Sequence, residues 1–144
     1  MSLFSVLSIG ASGMAAQRIR AETLTENLAN AETTRTPEGG PYRRKDVVFE
    51  STPTESPFSS VFNAQLEAPG GVAVAEVVTD TSTPEMRYLP GNPDANAEGY
   101  VAFPKVNAAE DMVDLMGAAR GYQANVAAIS AVKDMIQRSI DLLR

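Results

Sequence analysis

The C-terminal segment carries the most constraining pattern of this chain, an apolar residue at every seventh position. The repeat consists of Leu115, Tyr122, Ile129, Ile136 and Leu143. The positions four residues later hold Ala119, Val126 and Ile140, and Lys133 is the one break, with Val132 beside it. Because this spacing puts apolar residues on one side of an α-helix, it predicts a helix over residues 108–143 with a seam for another helix. At 1.5 Å per residue, that helix is roughly 54 Å long. We also expect Asn107 to cap its first turn, with Glu110 three residues later.

The N-terminal segment shows a weaker version of the same pattern. The seven-residue series there is Leu7, Met14, Ala21 and Leu28, and the companion positions hold Leu3, Leu24 and Ala31. This predicts a helix over residues 3–29, which Asn30 and Pro37 bring to an end. Gly10, Gly13 and Gln17 interrupt the seam, and we expect them to weaken it, since a helical Gly costs roughly 1 kcal/mol relative to Ala.

Charge and proline divide the 144 residues into three parts. All nine prolines lie between Pro37 and Pro104, and residues 51–104 hold seven acidic side chains against one basic side chain, Arg87. Both ends are charge-balanced, so the middle accounts for the net charge of −6. We therefore predict an N-terminal assembly helix (1–35), a Pro-rich acidic β/loop middle region (36–106) and a C-terminal assembly helix (107–144).

The middle region predicts only a few short strands, over residues 42–49, 72–78 and 100–103. Residues 51–57 read as a loop, and residues 87–89 lead into a turn. The expected fold is mainly α with a small β middle region, in which the long terminal helices pack as a coiled-coil-like pair and the middle protrudes from its open end. Gly117 and Gly121, four residues apart, form either a groove for a neighbouring helix or an unimportant face of this helix.

The composition excludes most catalytic chemistry. The chain has no Cys, His or Trp, which removes the usual nucleophile, base and metal ligands. Ser130-Ala-Val-Lys133 has the spacing of serine acyl-enzymes but lacks their companion motifs. The stretch from Asp94 to Gly99 resembles the opening of a calcium loop, but Lys105 stands where the bidentate Glu is needed. We expect no enzyme activity, no catalytic or metal site, no cofactor and no small-molecule substrate.

The charge pattern also bears on partners and location. An acidic chain is a poor nucleic-acid binder, and Arg43-Arg44-Lys45 is followed by Asp46 and Glu50, which favours a solvated or subunit-facing strand over a phosphate clamp. No apolar run reaches the 18 or so residues of a transmembrane span, and the first basic residue, Arg18, comes too late for a signal peptide. The chain is thus either cytosolic or exported without a cleaved peptide.

Several stretches together resemble one protein family. Ser12-Gly-Met-Ala-Ala-Gln17, Asn27-Leu-Ala-Asn30 and Thr33-Thr34 are similar to the N-terminal signature of bacterial flagellar rod and hook proteins. The short proximal-rod members of that family are matched by three further stretches, namely Tyr42-Arg-Arg-Lys45, the run from Tyr88 to Val101 and the run from Asp111 to Val126. The chain departs from the family pattern at Asn92, where His is usual, and at Lys105, where Asn is usual. Both positions lie in or beside predicted turns.

The resemblance implies a structural subunit of the basal-body proximal rod, the drive shaft for motility. Such subunits leave the cytoplasm through the flagellar type III apparatus, without a cleaved signal, and assemble across the periplasm. The implied partners are other rod proteins, further copies of this chain and components of the basal-body base. The helical seams then supply the assembly interface, and Asn27 and Asn30 are expected to cap the helix end and satisfy backbone groups rather than touch a partner. The predicted interface residues are Leu7, Met14, Leu24, Asn27, Leu28, Asn30, Leu115, Ala119, Tyr122, Val126, Ile129, Ile136 and Ile140.

Two other functions remain open from the residues alone. Seams at both ends also suit a cytosolic coiled-coil adaptor or export chaperone, which would be a stable dimer that never enters the periplasm. A peptidoglycan-cutting enzyme would need a catalytic pair and a longer chain.

Overall fold

The computed structural model describes residues 3–52 and 70–142, and predictions made for Leu143 and for most of the 51–57 loop lie outside them. Two long helices stand at the ends of the chain, and four short strands lie between them in sequence. In chain order the elements are α1 (Leu3–Ala29), β1 (Lys45–Thr52), β2 (Gly71–Thr79), β3 (Glu85–Tyr88), β4 (Tyr100–Phe103) and α2 (Ala108–Asp141). The predicted mainly helical fold with a small β region is confirmed. The division into three sequence regions stays a prediction.

The two helices pack against each other in opposite directions. The facing positions along the contact are Gly10 with Ile129, Gly13 with Asn125, and Gln17 with Gly121. A β-carbon at Gly10 would lie only 2.9 Å from Ile129 Cγ1. The expected weakening of the seam by Gly10, Gly13 and Gln17 stays a prediction, and the missing side chains of the two glycines let the helices approach closely.

The start of α2 is capped as predicted. The Asn107 side-chain oxygen accepts hydrogen bonds from the backbone N–H groups of Ala109, at 3.2 Å, and Glu110, at 3.4 Å. These bonds satisfy two of the amides that have no partner within the first turn of a helix. The cap thus sets where α2 begins.

The first sheet lies along the flank of α1. Strands β1 and β2 pair antiparallel, from Lys45 opposite Thr79 to Thr52 opposite Gly71, with a bulge at Val48/Phe49. At one end, the backbone N–H of Val72 donates to Ser12 Oγ, 3.1 Å away in α1. The prediction that the whole middle region protrudes from the open end of the helical pair is wrong for this sheet, since a two-stranded sheet needs another surface to cover one face.

The second sheet is a hairpin of β3 and β4. Strand β4 has the bounds that the sequence predicted. Strand β3 was not predicted as a strand, since residues 87–89 were interpreted as the approach to a turn. All four of its residues are exposed, so no alternation of buried and exposed positions marks it. Asn96 holds the connecting loop, since its side-chain oxygen accepts from the N–H groups of Glu98 and Tyr100. Gly99 adopts a positive φ of 82°, which only glycine takes without strain.

Paired glycine substitutions test the close approach of α1 and α2. Gly117→Ala should raise the free energy of unfolding by about 0.5–1 kcal/mol, since nothing lies within 4 Å of its missing side chain and Ala favours the helix. Gly10→Ala gains the same propensity but must displace Ile129, so we expect a net loss of about 1–2 kcal/mol in urea unfolding. Gly10→Ala combined with Ile129→Ala should cost less than the sum of the two single changes. Equal stabilisation by both glycine changes would contradict the described contact.

Candidate assembly surface

The seam between the helices contains about half of the predicted interface. Leu24 is buried on α1, where Leu7, Met14 and Leu28 are half-buried. On α2 the half-buried members are Leu115, Ile129 and Ile136. These residues are at least half-buried within one chain, so another chain could touch only the exposed part of each side chain.

Two buried residues of the helical pair were not predicted from the sequence, and a third, Val132, was expected only as the neighbour of the break at Lys133. Ala16 on α1, and Ala118 and Val132 on α2, are almost completely buried. The buried side of α2 thus lies one residue away from the predicted repeat at two positions, since Ala118 replaces Ala119 and Val132 replaces Lys133. The available signal was the smallness of Ala118 and Gly121, because close helix packing selects small residues where large ones would separate the helices.

The other predicted residues of α2 are exposed. Tyr122 and Val126 are 42% and 41% exposed, Ile140 is 51% exposed, and Ala119 is exposed as well. At 100° per residue, Ala119 and Val126 share one flank of α2 with the exposed Met112 and Met116, and Tyr122 and Ile140 lie at the edge of that flank nearest the seam. We call this flank the outer stripe, and it consists of Met112, Met116, Ala119, Tyr122, Val126 and Ile140.

Asn27 joins the end of α1 to the start of β1. Its side chain is completely buried. The amide nitrogen donates to the Lys45 carbonyl at 2.8 Å, and the amide oxygen accepts from Lys45 N and from the Tyr42 hydroxyl, both at 2.9 Å. The side chain thereby pairs with Lys45 as a neighbouring strand would. We call Asn27, Tyr42 and Lys45 the Asn27 junction.

The two predicted capping asparagines therefore act differently. Asn30 lies at the end of α1, where its amide donates to the Glu26 carbonyl at 2.9 Å and its oxygen accepts from the Thr33 hydroxyl at 3.1 Å. That is a helix cap, as expected. Asn27 satisfies backbone groups, as expected, but those of Lys45 at the start of β1 and not those of a helix end. No sequence signal identified its partner, because Lys45 lies 18 residues away.

Burial changes the acidity of the junction. Desolvation, with smaller contributions from the negative charges of Glu26 and Asp111, raises the pKa of Tyr42 to about 12. The phenol therefore stays protonated and donates to Asn27 throughout the physiological range. The hydrogen bond from Tyr42 is a constant feature of the fold.

The basic triplet is engaged within the chain. Arg43 donates to the carbonyl of Asp80, and Lys45 pairs with Glu26. Arg44 Nη2 lies 3.4 Å from Asp46 and 3.0 Å from the buried Asp111. These contacts support the sequence interpretation that the triplet is not a free phosphate clamp.

The remaining chemical motifs form no reactive group. Ser130 and Lys133 are both exposed on α2. Asp94 accepts a hydrogen bond from Thr34 at 2.8 Å and lies 3.8 Å from Arg35, which ties the β3–β4 loop to the segment after α1. Across residues 3–52 and 70–142, His, Cys, Asp and Glu nowhere form a group of three or more that could hold a metal ion. Neither described helix has a stretch apolar enough to cross a bilayer.

Two family models match the helical ends. Residues 7–35 match the model described as "Flagella basal body rod protein". Residues 97–142 match the model described as "Flagellar basal body rod FlgEFG protein C-terminal". The matched ranges include α1 from Leu7 onward with the segment up to Arg35, and α2 with β4.

Individual relatives align over nearly the whole chain. A flagellar basal-body rod protein FlgC from Bacillus subtilis is 42% identical, with 99% of each chain covered. The FlgC protein of Salmonella typhimurium is 39% identical over 99% of this chain and 98% of its own. That of Aquifex aeolicus is 36% identical over 98% and 97%. The similarity therefore extends through the middle region that the two family models leave unmatched.

Substitution of Asn27 tests the junction. Asn27→Ala removes three hydrogen bonds and leaves both backbone groups of Lys45 without their partner, so we expect a loss of about 2–4 kcal/mol in the free energy of urea unfolding. Asn30→Ala is the matched control, and as a partly exposed cap it should cost only about 0.5–1.5 kcal/mol. Equal losses for the two variants would show that the junction contributes no more than an ordinary cap.

Proposed function

The chain belongs to the FlgC family of flagellar basal-body rod proteins and is a structural subunit of the rod, and we propose that it assembles there through the outer stripe of α2. The observation that supports this is the one-sided use of that helix. Its 34 residues extend for about 51 Å, yet α1 covers only one side of it.

The outer stripe has the properties of a covered surface. Met112, Met116, Val126 and Ile140 are each 41–54% exposed, although soluble monomers rarely leave long rows of large apolar side chains in water. Burial of such surface gives roughly 25 cal/mol per Å² of apolar area. A helix of a neighbouring subunit laid along the stripe supplies that burial over the full length of α2.

The interface residues predicted from the sequence then fall into two groups. The half-buried ones hold α1 and α2 together in one subunit and keep the outer stripe straight. The exposed ones, Ala119, Tyr122, Val126 and Ile140, contact neighbouring subunits. Gly117, whose missing side chain faces open space, lies on another face of α2, where a further helix can approach.

The finer claims about partners and place follow from this role. The partners are other rod proteins, neighbouring copies of this chain and components of the basal-body base. The subunit works in the proximal rod, after export by the flagellar type III apparatus without a cleaved signal. Its work is mechanical, without catalysis, and the acidic middle region faces away from the rod axis.

A charge placed in the outer stripe tests the assembly proposal. Val126→Asp should leave the folded monomer intact, since Val126 is exposed, but should abolish swimming because it buries an unpaired carboxylate between subunits. Swimming is measured on motility agar in cells whose only copy is the variant, and basal bodies are then counted by electron microscopy. Ile129→Asp would test assembly less specifically than Val126→Asp. Ile129 packs on Gly10 within the chain, so a charge there would also destabilise the monomer.

The control replaces an equivalent valine outside the stripe. Val78 on β2 is 42% exposed, which matches the 41% of Val126. Val78→Asp should therefore swim and build complete basal bodies. Normal swimming by Val126→Asp would refute the proposed surface. Recovery of the wild-type chain as a soluble cytosolic dimer, never in basal bodies, would instead favour the adaptor or chaperone function.

A further inference from the structure

Asp111 is a buried acid that assembly does not use. It lies in the first turns of α2, and its side chain is 0% exposed. Neither of its carboxylate oxygens accepts a hydrogen bond from any described residue. An ionised carboxylate in such a place is costly, because burial removes its water without supplying donors.

The one cation beside it is shared. Arg44 Nη2 lies 3.0 Å from Asp111 Oδ1, but the geometry is not that of a hydrogen bond. The same Nη2 atom lies 3.4 Å from Asp46, which is more exposed and competes for it. Arg44 Nε is buried and also has no hydrogen-bond partner among the described residues. The pair is therefore an ion pair across the entry of β1, without the two aligned bonds that make such pairs strong.

The surrounding charges are mostly negative. Asp46 faces Asp111 from β1, and Glu110 and Asp114 do so from its own helix. From α1, Arg20 pairs with Asp114, at 3.6 Å. The phenol of Tyr42 stands in the connection before β1 and is neutral. Desolvation is the largest influence and raises the pKa of Asp111, Arg44 opposes it, and the neighbouring acids add to it.

We propose that Asp111 is a proton-sensitive clamp, which holds the first turns of α2 to the entry of β1 more firmly when it is protonated. Protonation gives up the ion pair with Arg44, which then pairs with Asp46 alone, but it removes the larger cost of a buried carboxylate that has no hydrogen-bond donor among the described residues. The clamp joins the two parts of the subunit, the helical pair and the first sheet. It is independent of the proposed assembly surface, since Asp111 lies beneath the surface of the single chain.

The sign of the effect follows from linkage. The folded chain binds the Asp111 proton more tightly than the unfolded chain, whose ordinary value is 3.8. Stability from this group is therefore present at low pH and is lost as the pH rises through the raised folded value. This is opposite to the usual behaviour of a salt-bridged acid, which loses stability as the pH falls.

The experiment compares the purified full chain with Asp111→Asn and Asp114→Asn between pH 7 and pH 4. Asp114 is the matched control, because it lies one turn further along α2 and is 41% exposed. The urea midpoint of wild type minus that of Asp111→Asn should rise as the pH falls. The same difference taken with Asp114→Asn should change less. Amide exchange at residues 44–46 and 110–115 should slow in the wild type, relative to Asp111→Asn, over the same pH range.

Each contrary outcome overturns the clamp. A midpoint difference that becomes smaller as the pH falls means that the stabilisation by the ion pair outweighs the cost of desolvating Asp111. A difference that does not change, or exchange that is unaltered at those amides, means that no local proton-linked contact exists. Carboxyl NMR of the wild-type chain needs no variant, and titration of Asp111 at or below its ordinary value would also refute the proposal.

Discussion

The subunit depends on one constraint, the need to satisfy the backbone of β1 where it meets α1. Asn27 satisfies this backbone from within a helix, by pairing with both the N–H and the carbonyl of Lys45 as a strand would. The same side-chain oxygen of Asn27 also accepts a hydrogen bond from the Tyr42 hydroxyl. A buried amide with partners is stable, but the same amide without them is expensive. This fixes how the first sheet leaves the helix, and Ser12 fixes its other end. The sheet is thereby held along the flank of α1.

The helical pair follows a different logic, in which small and polar residues set the spacing. Gly10, Gly13 and Gly121 each face a side chain of the other helix at close range. Large side chains at these points would separate the helices, so the absence of side chains at the three glycines sets the distance between them. One polar group is sealed in this contact, since the Gln17 side-chain oxygen is buried without a hydrogen bond among the described residues. The large apolar side chains of the outer stripe take no such part in this contact and remain exposed.

The sequence specifies the elements better than their packing. The bounds of α1, the start of α2 at Asn107 and the position of β4 follow from periodicity, capping and turn residues, which act over a few positions. The contacts of Asn27 and Ser12 join residues 18 and 60 positions apart, and no local pattern encodes them. The repeat on α2 predicted an apolar helix correctly but not which side meets α1, since Ala118 and Ala119 are indistinguishable by hydropathy. Which of them is buried depends on how the two helices pack, which their hydropathy does not encode.

The Asn27 junction also fixes an order of events during synthesis. All three of its members lie within the first 45 residues, so it can close while most of the chain is still being made. The contact of Gly10 with Ile129 must wait until the C-terminal helix exists, and it closes a loop of 119 residues rather than 18. By chain statistics the longer closure costs about 1.7 kcal/mol more. Loop closure thus favours contact between the end of α1 and the entry of β1 before the last helix docks.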